Sequence, residues 1–499
     1  MKNTHLFFYG KDFTLLKDSG TGKNLFELCY NGKKPKWYDE DDKQFAILKS
    51  FLEYSQENIN NLIVDKSISK NNLKLYDYIN QRIAFSGLVG VVSCSDFIFE
   101  EKKYDITLQI STRLDTYEND EDSNKKLIPY FLMTLLIPNY TTTKKSKIMV
   151  DEKEMTDLFL IYLFQEKYKN AFVKGYFRTY HRFEKNDDNV RGTINVSKHI
   201  KNNMGLVNGK LSYSYKEKSE NNYLNQLIIS AYESLKKNHL KEVQSTFDGC
   251  LELKNSLEVL KQKINYSKTL EHVLISKNIT PLSSPYYTEY EELRKICLMI
   301  LRNEKVSLFS RDGQNKIDGV LVYAPTLWEK FISQHFLDLN YNPQDRIYIY
   351  DVNGDKNYKQ LTIPDFVIKN DEDNAYMIID AKFKPGWLAV AKTGEIEDLL
   401  PDYDKCIRDM VSINANNCGV MFPTNEDIKI NNDSFEINNE KFLFKHNISV
   451  YNSTSFFYTF PIHVPKINDK KNFIEWKEQF EANTKESFLI YSKLIKDLS

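Results

Sequence analysis

Cysteine is scarce in this sequence, and no two of its six cysteines form a CxxC pair. Zinc ribbons and disulfide scaffolds need clustered cysteines, so both are excluded, and the sparse usage favours a reducing interior. The histidines include no HExxH, which excludes that zinc-protease motif. The most apolar stretch, near residues 130–138, is far short of the ~20 residues that span a bilayer, and no charged-then-apolar leader opens the chain. We therefore expect a soluble, cytoplasmic protein with no membrane partner.

A charge excess of either sign is also absent, because 68 basic residues stand against 69 acidic ones. Nucleic-acid binding cannot be inferred from net charge here and would have to come from a local basic patch. The hydrophobic share of 41% and the aromatic share of 13% are ample for packed cores. A chain of 499 residues with this composition is expected to form two or three domains.

A phosphate-binding loop is missing as well. Residues 19–24 read SGTGKN, but position 17 is Lys rather than Gly, and Asn24 stands where the motif needs Ser or Thr. We interpret this segment as a turn. Since no other segment fits the motif, the sequence provides no NTPase site of its own.

Residues 348–384 carry the chemistry that the rest of the chain lacks. Residues 361–368 and 375–383 are apolar and β-branched runs, and the polar residues 370–374 between them predict a turn joining two strands. Asp365 interrupts the first run, and Asp380 interrupts the second. Alternation along a strand places Asp380 and Lys382 on one face, and the neighbouring strand can bring Asp365 beside them.

Two carboxylates held close together must share a cation or a proton. Oxygen ligands suit Mg²⁺, which retains waters and accepts phosphate oxygens, and a nearby lysine can offset the charge that builds on phosphorus. Metal-assisted phosphodiester hydrolysis is therefore one interpretation. The other is a plain hairpin in which Asp380 and Lys382 form a surface pair and Asp365 starts a turn. Under the first interpretation, Asp380→Asn abolishes cleavage with little change in melting temperature.

The spacing of these residues resembles the PD-(D/E)XK nuclease signature, with Ile363-Pro364-Asp365 followed by Asp380-Ala381-Lys382. The resemblance implies that Asp365 and Asp380 bind Mg²⁺, which Mn²⁺ may replace, and that Lys382 assists the attack. Further segments resemble McrC-like and LlaJI-type restriction endonucleases: residues 88–92 the "vGvi" strand, 190–194 the "lRG.i" element, 215–227 the "D..lN" element and 327–331 the "LFE.F" helix.

Glu329 has two explanations at this point. Thr326 and Glu329 have the spacing of a helix-capping box, which would make Glu329 structural. The family resemblance instead implies a supporting acid near the metal, so Glu329 is kept as a second-tier catalytic candidate.

Two segments are candidates for contact with double-stranded DNA. Residues 174–182 interleave aromatics with Lys174, Arg178 and Arg182, and Arg191 follows; this mixture suits a surface that tracks phosphates, although ordinary surface cations explain it too. Residues 395–414 are predicted to be helical, with Lys405 and Arg408 on one face towards DNA. This helix departs from the McrC pattern "D.yQm.aY", because no Gln follows Asp404.

The predicted fold is α/β, of the α+β multidomain kind. Residues 1–150 form a β-rich domain that binds a partner, 151–320 a mainly helical scaffold, and 321–499 a mixed-sheet PD-(D/E)XK nuclease domain with an extension. Apolar periodicity predicts scaffold helices near residues 224–235, 253–264 and 293–301.

The resemblance implies a DNA endonuclease subunit of a McrBC-like restriction system that defends against phage and depends on a partner McrB-like AAA+ GTPase. A LlaJI-type endonuclease with its own site recognition and a non-catalytic activator of an NTPase remain alternatives. Dimerisation through the nuclease domain is left open.

Overall fold

The structure is a computed structural model, and the parts of the chain that it describes account for most of the sequence. Residues 19–24, the rejected phosphate loop, and Ile363 lie outside them. The described residues are 4–11, 15–16, 41–57, 63–64, 74–79, 82–116, 130–136, 152–204, 209–248, 250–264, 270–302, 316–335, 341–343, 347–350, 356–362, 364–370, 372–394, 399–450, 453–467 and 473–498.

Runs of strands and runs of helices follow one another along the chain, as the α+β prediction requires. The helices are α1 (Asp41–Glu57), α2 (Tyr130–Leu136), α3 (Glu152–Phe172), α4 (Val196–Asn203), α5 (Tyr223–Asn238), α6 (Leu240–Asp248), α7 (Leu251–Lys263), α8 (Glu271–Lys277), α9 (Thr288–Arg302), α10 (Ala324–Ser333), α11 (Trp387–Thr393), α12 (Leu400–Ile413) and α13 (Phe473–Lys496). None of these described helices is both long and apolar enough to cross a membrane.

The strands belong to several separate sheets. They are β1 (Thr4–Lys11), β2 (Leu15–Leu16), β3 (Ile63–Val64), β4 (Tyr76–Ile79), β5 (Arg82–Phe85), β6 (Leu88–Phe99), β7 (Lys102–Ser111), β8 (Thr179–Asp187), β9 (Thr193–Ile194), β10 (Leu211–Ser219), β11 (Lys316–Tyr323), β12 (Tyr341–Pro343), β13 (Ile347–Tyr350), β14 (Lys356–Thr362), β15 (Phe366–Lys369), β16 (Ala375–Ala381), β17 (Asn417–Thr424), β18 (Lys429–Ile430), β19 (Ser434–Ile437), β20 (Glu440–Leu443), β21 (Lys445–Val450) and β22 (Ser453–His463).

Contacts divide the chain into two compact units. The first combines Met1–Thr156 with Phe309–Ser499, and the second is Asp157–Leu308. The second unit lies close to the limits predicted for the helical scaffold. Residues 1–150 and 321–499, which were predicted as two domains, share the first unit.

A five-stranded sheet in the order β1-β7-β6-β11-β3 joins the two ends of the first unit. Strand β11 pairs antiparallel with β6 from the front of the chain, with Val320 opposite Val91. Gly90 has a φ of +145°, and a Cβ there would lie 2.0 Å from the carbonyl oxygen of Val320. Only glycine permits this approach, so the "vGvi" segment is fixed by contact with β11. Deleting residues 1–150 would therefore remove the strand on which β11 pairs.

A six-stranded mixed sheet in the order β12-β15-β16-β17-β22-β21 carries the candidate site. Strands β16, β17 and β22 are parallel, whereas β15 pairs antiparallel with β16. Helices α11 and α12 lie in the connection between β16 and β17, as parallel strands require a crossover. The mixed sheet expected for the last third of the chain is present. Strand β17 continues through Pro423 to Thr424.

The closing helix α13 packs as its apolar spacing predicts. Its aromatic residues Phe473, Trp476 and Phe480 are buried. The ring of Phe473 lies 5.1 Å from that of Tyr130 in α2, and the ring of Phe480 lies 5.5 Å from that of Phe131. Residues 130–136, the described part of the apolar stretch near 130–138, are thus a buried core helix within the first unit.

The second unit consists of helices together with a small sheet, β8-β10-β9, that the sequence did not predict. The three predicted apolar faces are buried in α5, α7 and α9: Leu224, Leu227, Ile228, Ala231, Leu235, Leu253, Leu257, Leu260, Ile264, Leu293, Ile296, Cys297, Ile300 and Leu301. The sheet has a largely exposed first strand, in which Phe183 stacks on Tyr215 at 5.5 Å.

Candidate active site

Two neighbouring strands bring Asp365 and Asp380 together. Asp365 immediately precedes β15, and Asp380 is next to last in β16; Phe366 lies opposite Ile379 in the antiparallel register, so the two carboxylates meet at one end of the pair. The backbone N–H of Ala381 donates to Oδ2 of Asp365 at 2.7 Å. The predicted juxtaposition of the two acids is therefore present.

The carboxylate of Asp380 is buried, with only 2% of the residue exposed, and two ammonium groups contact it. Lys382 Nζ lies 2.6 Å from Oδ2, and Lys405 Nζ lies 3.1 Å from Oδ1 and 3.3 Å from Oδ2. The thiol of Cys406 is 3.8 Å from Oδ2. A buried carboxylate is costly unless it is paired, and here two lysines compensate it.

Helix α12 supplies a second acid to this cluster. Asp402, in the first turn of the helix, lies 3.4 Å from Lys382 Nζ and also pairs with Lys384. Lys382 is therefore held between Asp380 and Asp402. Such contacts on both sides fix the position of an otherwise flexible lysine.

The two carboxyl groups have opposite pKa shifts. Burial, followed by the charge of Asp380 and a hydrogen bond to it, raises the pKa of Asp365 well above its usual range. Burial also disfavours ionisation of Asp380, but the hydrogen bond from Asp365 and the charges of Lys382 and Lys405 outweigh it and lower the pKa of Asp380. The contact therefore favours a proton on Asp365 and an ionised Asp380, as expected for adjacent carboxylates.

The two lysines remain charged despite their burial. Burial alone would lower the pKa of Lys382, but the charge of Asp380 and the hydrogen bond to it raise the pKa overall. The pKa of Lys405 is raised in the same way, with Asp380 and Asp365 outweighing burial. The site thus places two permanent positive charges beside one ionised carboxylate.

Glu329 lies in α10, and the capping-box explanation for it is wrong. The helix begins at Ala324, with Tyr323 as the N-cap and no side-chain cap hydrogen bond. Pro325 fits the first turn because that position needs no backbone N–H, so Thr326 lies inside the helix. The negative charge of Glu329 contributes to the raised pKa of Asp365, which places this acid within electrostatic reach of the site.

Of the two helical DNA-contact candidates, Lys405 contacts Asp380, and Arg408 is exposed on α12 with Nε 3.6 Å from Asp409 Oδ1. The helix covers Leu400–Ile413, within the predicted 395–414, of which residues 395–398 lie outside the described part of the chain.

The four candidates from the basic and aromatic segment belong to the second unit. Three of them have partners: Lys174 pairs with Glu289 at 2.6 Å, Arg178 with Glu220 at 2.8 Å, and Arg182 donates to Ser214 at 2.9 Å. Arg191 is exposed. The charges of Lys174 and Arg178 are therefore partly neutralised by these acids.

Sequence reasoning missed the role of Lys405, Asp402 and Cys406 around the carboxylate. A signal was present in the charged residues that the predicted helix carries. Asp402 and Lys405 are three residues apart and so share a helix face. What the sequence could not give was the direction of that face towards β16.

The donor set fits a divalent cation with an open coordination sphere. Asp365 and Asp380 offer carboxylate oxygens on adjacent strands, and across the described ranges no cluster of three or more His, Cys, Asp or Glu side chains is suited to a metal. Two carboxylates leave coordination positions for water and phosphate oxygens, as Mg²⁺ prefers. The site accordingly fits Mg²⁺ better than Zn²⁺, which favours nitrogen and sulfur ligands.

Comparisons with solved structures give matches of low identity. A chain of the Thermococcus gammatolerans structure "Refined half-complex from tetradecameric assembly of Thermococcus gammatolerans McrB AAA+ hexamers with bound McrC" is 13% identical, with a TM-score of 0.41, covering 96% of this chain and 99% of that one. A chain of "Cryo-EM structure of the Thermococcus gammatolerans McrBC complex" is 15% identical, with a TM-score of 0.26, covering 66% of this chain and 86% of that one. No curated protein matches this chain significantly.

The sequence profile of one family covers more than half of the chain. It matches residues 83–396, which include β6, α10, Asp365, Asp380 and Lys382. The resemblance to McrC at the sequence level is thereby confirmed as family membership. The chain belongs to the McrBC family, whose members are described as McrBC 5-methylcytosine restriction system components.

Proposed function

We propose that this chain is the DNA-cleaving subunit of a McrBC-type restriction system with a PD-(D/E)XK nuclease core. It hydrolyses phosphodiester bonds of double-stranded DNA with Mg²⁺ and depends on a partner AAA+ GTPase. Family membership supports the system, and the cluster of Asp365, Asp380 and Lys382 supports the chemistry.

One observation carries the nuclease proposal. Two carboxylates fifteen residues apart meet at the end of a strand pair, and the motif lysine contacts one of them at 2.6 Å. A plain hairpin would leave Asp380 and Lys382 in solvent, whereas both are largely buried. Burying several charges together costs stability unless they serve a purpose, so the arrangement favours a functional site.

Each residue has a defined part in the proposed reaction. Asp365 and Asp380 would hold Mg²⁺, and the lone pairs of Asp365 become available when it releases its proton. When bound, the metal supplies Lewis acidity at a phosphate oxygen and lowers the pKa of a coordinated water. Lys382, fixed by Asp380 and Asp402, provides a positive charge where the transition state gathers negative charge. Glu329 would influence Asp365 through its charge.

The partner follows from the family and from the chain's own sequence. No phosphate-binding loop occurs in the 499 residues, so nucleotide hydrolysis would come from another protein. The family description names 5-methylcytosine, which makes methylated DNA the substrate to test first. We propose that a McrB-like GTPase provides the motor.

Cleavage of duplex DNA tests the proposal. The full chain is combined with the AAA+ GTPase of its own system and GTP, on methylated and unmethylated duplexes, with Mg²⁺, Mn²⁺ or Ca²⁺. We expect cleavage with Mg²⁺ and Mn²⁺ but little turnover with Ca²⁺, and no cleavage by Asp380→Asn.

Three other outcomes would change the assignment. Cleavage by Asp380→Asn at the wild-type rate would place the chemistry elsewhere. Site-specific cleavage of unmethylated DNA would favour the LlaJI-type alternative. Stimulation of GTP hydrolysis without DNA cleavage under any metal would favour a non-catalytic activator.

A further inference from the structure

The ammonium of Lys405 lies beside the two acids. It lies within 3.3 Å of both oxygens of Asp380, and its charge also acts on Asp365. An ammonium and a hard divalent cation use the same oxygen lone pairs, and a carboxylate has about four of them. With Lys382 and Lys405 both on Asp380, the lone pairs that a metal needs are already engaged.

The two lysines differ in how firmly they are held. Lys382 has 15% of its side chain exposed and a second acid, Asp402, at 3.4 Å. Lys405 has 27% exposed, and its second acid, Asp409, is 4.0 Å away. A lysine stem is flexible, so the more exposed and more weakly held ammonium is the one that can leave.

A divalent cation and an ammonium on the same carboxylate repel each other. The protein can relieve that repulsion only by moving one of them, and the released ammonium then needs an anion. A DNA phosphate supplies one, and an ammonium on a flexible stem binds phosphate as a point charge.

We propose that Lys405 is a displaceable cation that holds Asp380 in the metal-free protein, and that metal loading releases it to a DNA phosphate. This inference rests on the proposed metal site. It makes Lys405 a positioning residue that couples the two ligands: metal and DNA must strengthen each other's binding, because each favours the position of Lys405 that the other requires.

Metal binding to the full chain without DNA is the first test, with Ca²⁺ measured by calorimetry. Lys405→Gln keeps the length of the side chain and removes its charge. We expect Ca²⁺ to bind Lys405→Gln about 10- to 100-fold more tightly than wild type. The size matches what mutation of a residue beside a metal ligand usually produces, but the sign is opposite, because Lys405 competes with the metal. Lys405→Arg keeps a cation that grips a carboxylate with two hydrogen bonds, and should bind Ca²⁺ more weakly than wild type.

Lys384→Gln is the matched control, because it removes an ammonium of the same cluster that pairs with Asp402 and not with Asp380. Its Ca²⁺ affinity should stay within about threefold of wild type, since exposed charges are well screened. An equal gain in Lys384→Gln and Lys405→Gln would mean general electrostatics and would overturn the proposal.

Coupling to DNA is the second readout, measured by anisotropy of a labelled duplex at fixed ionic strength. In wild type, Ca²⁺ should strengthen DNA binding, and in Lys405→Gln that enhancement should fall about tenfold, because no ammonium is left to be released. An unchanged enhancement would overturn the coupling.

Asp380→Asn separates this inference from the proposed function. The proposed metal site fails if wild type does not bind Ca²⁺, or if Asp380→Asn binds Ca²⁺ as wild type does. If Asp380→Asn removes binding while Lys405→Gln binds no more tightly than wild type, the metal site stands and Lys405 is not a displaceable cation. Circular dichroism and thermal melting of each variant establish that it is folded.

Discussion

Two regions of this protein are rich in cations, and they use them differently. In the mixed sheet of the first unit, Lys382 and Lys405 converge on the single buried carboxylate of Asp380. In the second unit, Lys174 pairs with Glu289, and Arg178 pairs with Glu220, which Lys263 also approaches at 3.6 Å.

The difference shows which sequence pattern carries chemistry. Ion pairs near the surface contribute little to stability, so they arise wherever a surface has mixed charges. Bringing several charges together around one buried group costs free energy, and removing one of them destabilises the fold. By composition alone, the basic and aromatic segment was as strong a candidate for a functional site as the strand pair. Only at the strand pair do several charges surround one buried carboxylate.

The substitution with the largest expected effect is Asp380→Asn. It removes a proposed metal ligand, so cleavage of duplex DNA should fall below detection. Asp404→Asn, on the exposed face of α12, is the control and should cleave like wild type. The measurement is the initial rate of duplex cleavage with the GTPase partner and Mg²⁺.

Asp380→Asn should also destabilise the fold, by about 3 kcal/mol, because it leaves two partly buried ammonium groups without their counter-charge. This differs from the expectation drawn from sequence, which was little change in melting temperature. Chemical denaturation of the metal-free variant measures it, and an unchanged unfolding free energy would mean that the lysines move out to solvent at no cost.

Lys382→Ala should have the next largest effect, a loss on the order of 10²-fold in the cleavage rate, since it removes one charge that stabilises the transition state. Metal affinity should not fall, because Asp365 and Asp380 remain. Lys392→Ala, which removes an exposed lysine of α11, is the control. A fall in metal affinity that accounts for the whole loss of rate would contradict an electrostatic role.

The pH dependence of stability should identify Asp365 as the carrier of the shared proton. Its folded pKa is raised, by burial first and by Asp380 second. The stabilisation is therefore complete below the unfolded pKa of about 4 and is lost as pH rises through the folded pKa. Asp365→Asn cannot ionise, so its stability relative to wild type should increase from pH 4 upward, by about 1.4 kcal/mol for each unit between the two pKa values.

Denaturation with chelator present, from pH 4 to pH 9, measures that difference. If the difference in unfolding free energy between the two proteins is the same at every pH, then Asp365 has the same pKa in the folded and unfolded states. The opposite pKa shifts of Asp365 and Asp380 would then be wrong.

Arg178→Gln should have the smallest effect. The residue makes an exposed pair with Glu220, so the unfolding free energy should change by about 0.5 kcal/mol. DNA affinity should stay within about twofold of wild type, less than the loss of a phosphate contact at low salt. Arg191→Gln removes an exposed cation of the same segment for comparison. Equal and large losses in both variants would show that this segment binds DNA despite its ion pairs.

The sequence by itself determined much of the local structure. The apolar runs 361–368 and 375–383 predicted the strand pair β15 and β16, although β15 begins only at Phe366 and residues 361–362 belong to β14. Helical spacing predicted the buried faces of α5, α7 and α9. Alternation along the strand also predicted that Asp380 and Lys382 lie on one face. These features depend on contacts between residues close in the chain, so a periodic pattern is enough to predict them.

Tertiary structure decided what periodicity cannot express. The pairing of β6 with β11 joins residues more than two hundred positions apart, and nothing in either strand specifies its partner. The start of α10 at Ala324 followed from Pro325 in the first turn, not from the Thr326 and Glu329 spacing. Lys405 looked like a surface cation in sequence, and only the packing of α12 against β16 turned it towards Asp380. Long-range packing sets which charges meet, because the free energy of burying a charge depends on partners that the local sequence does not contain.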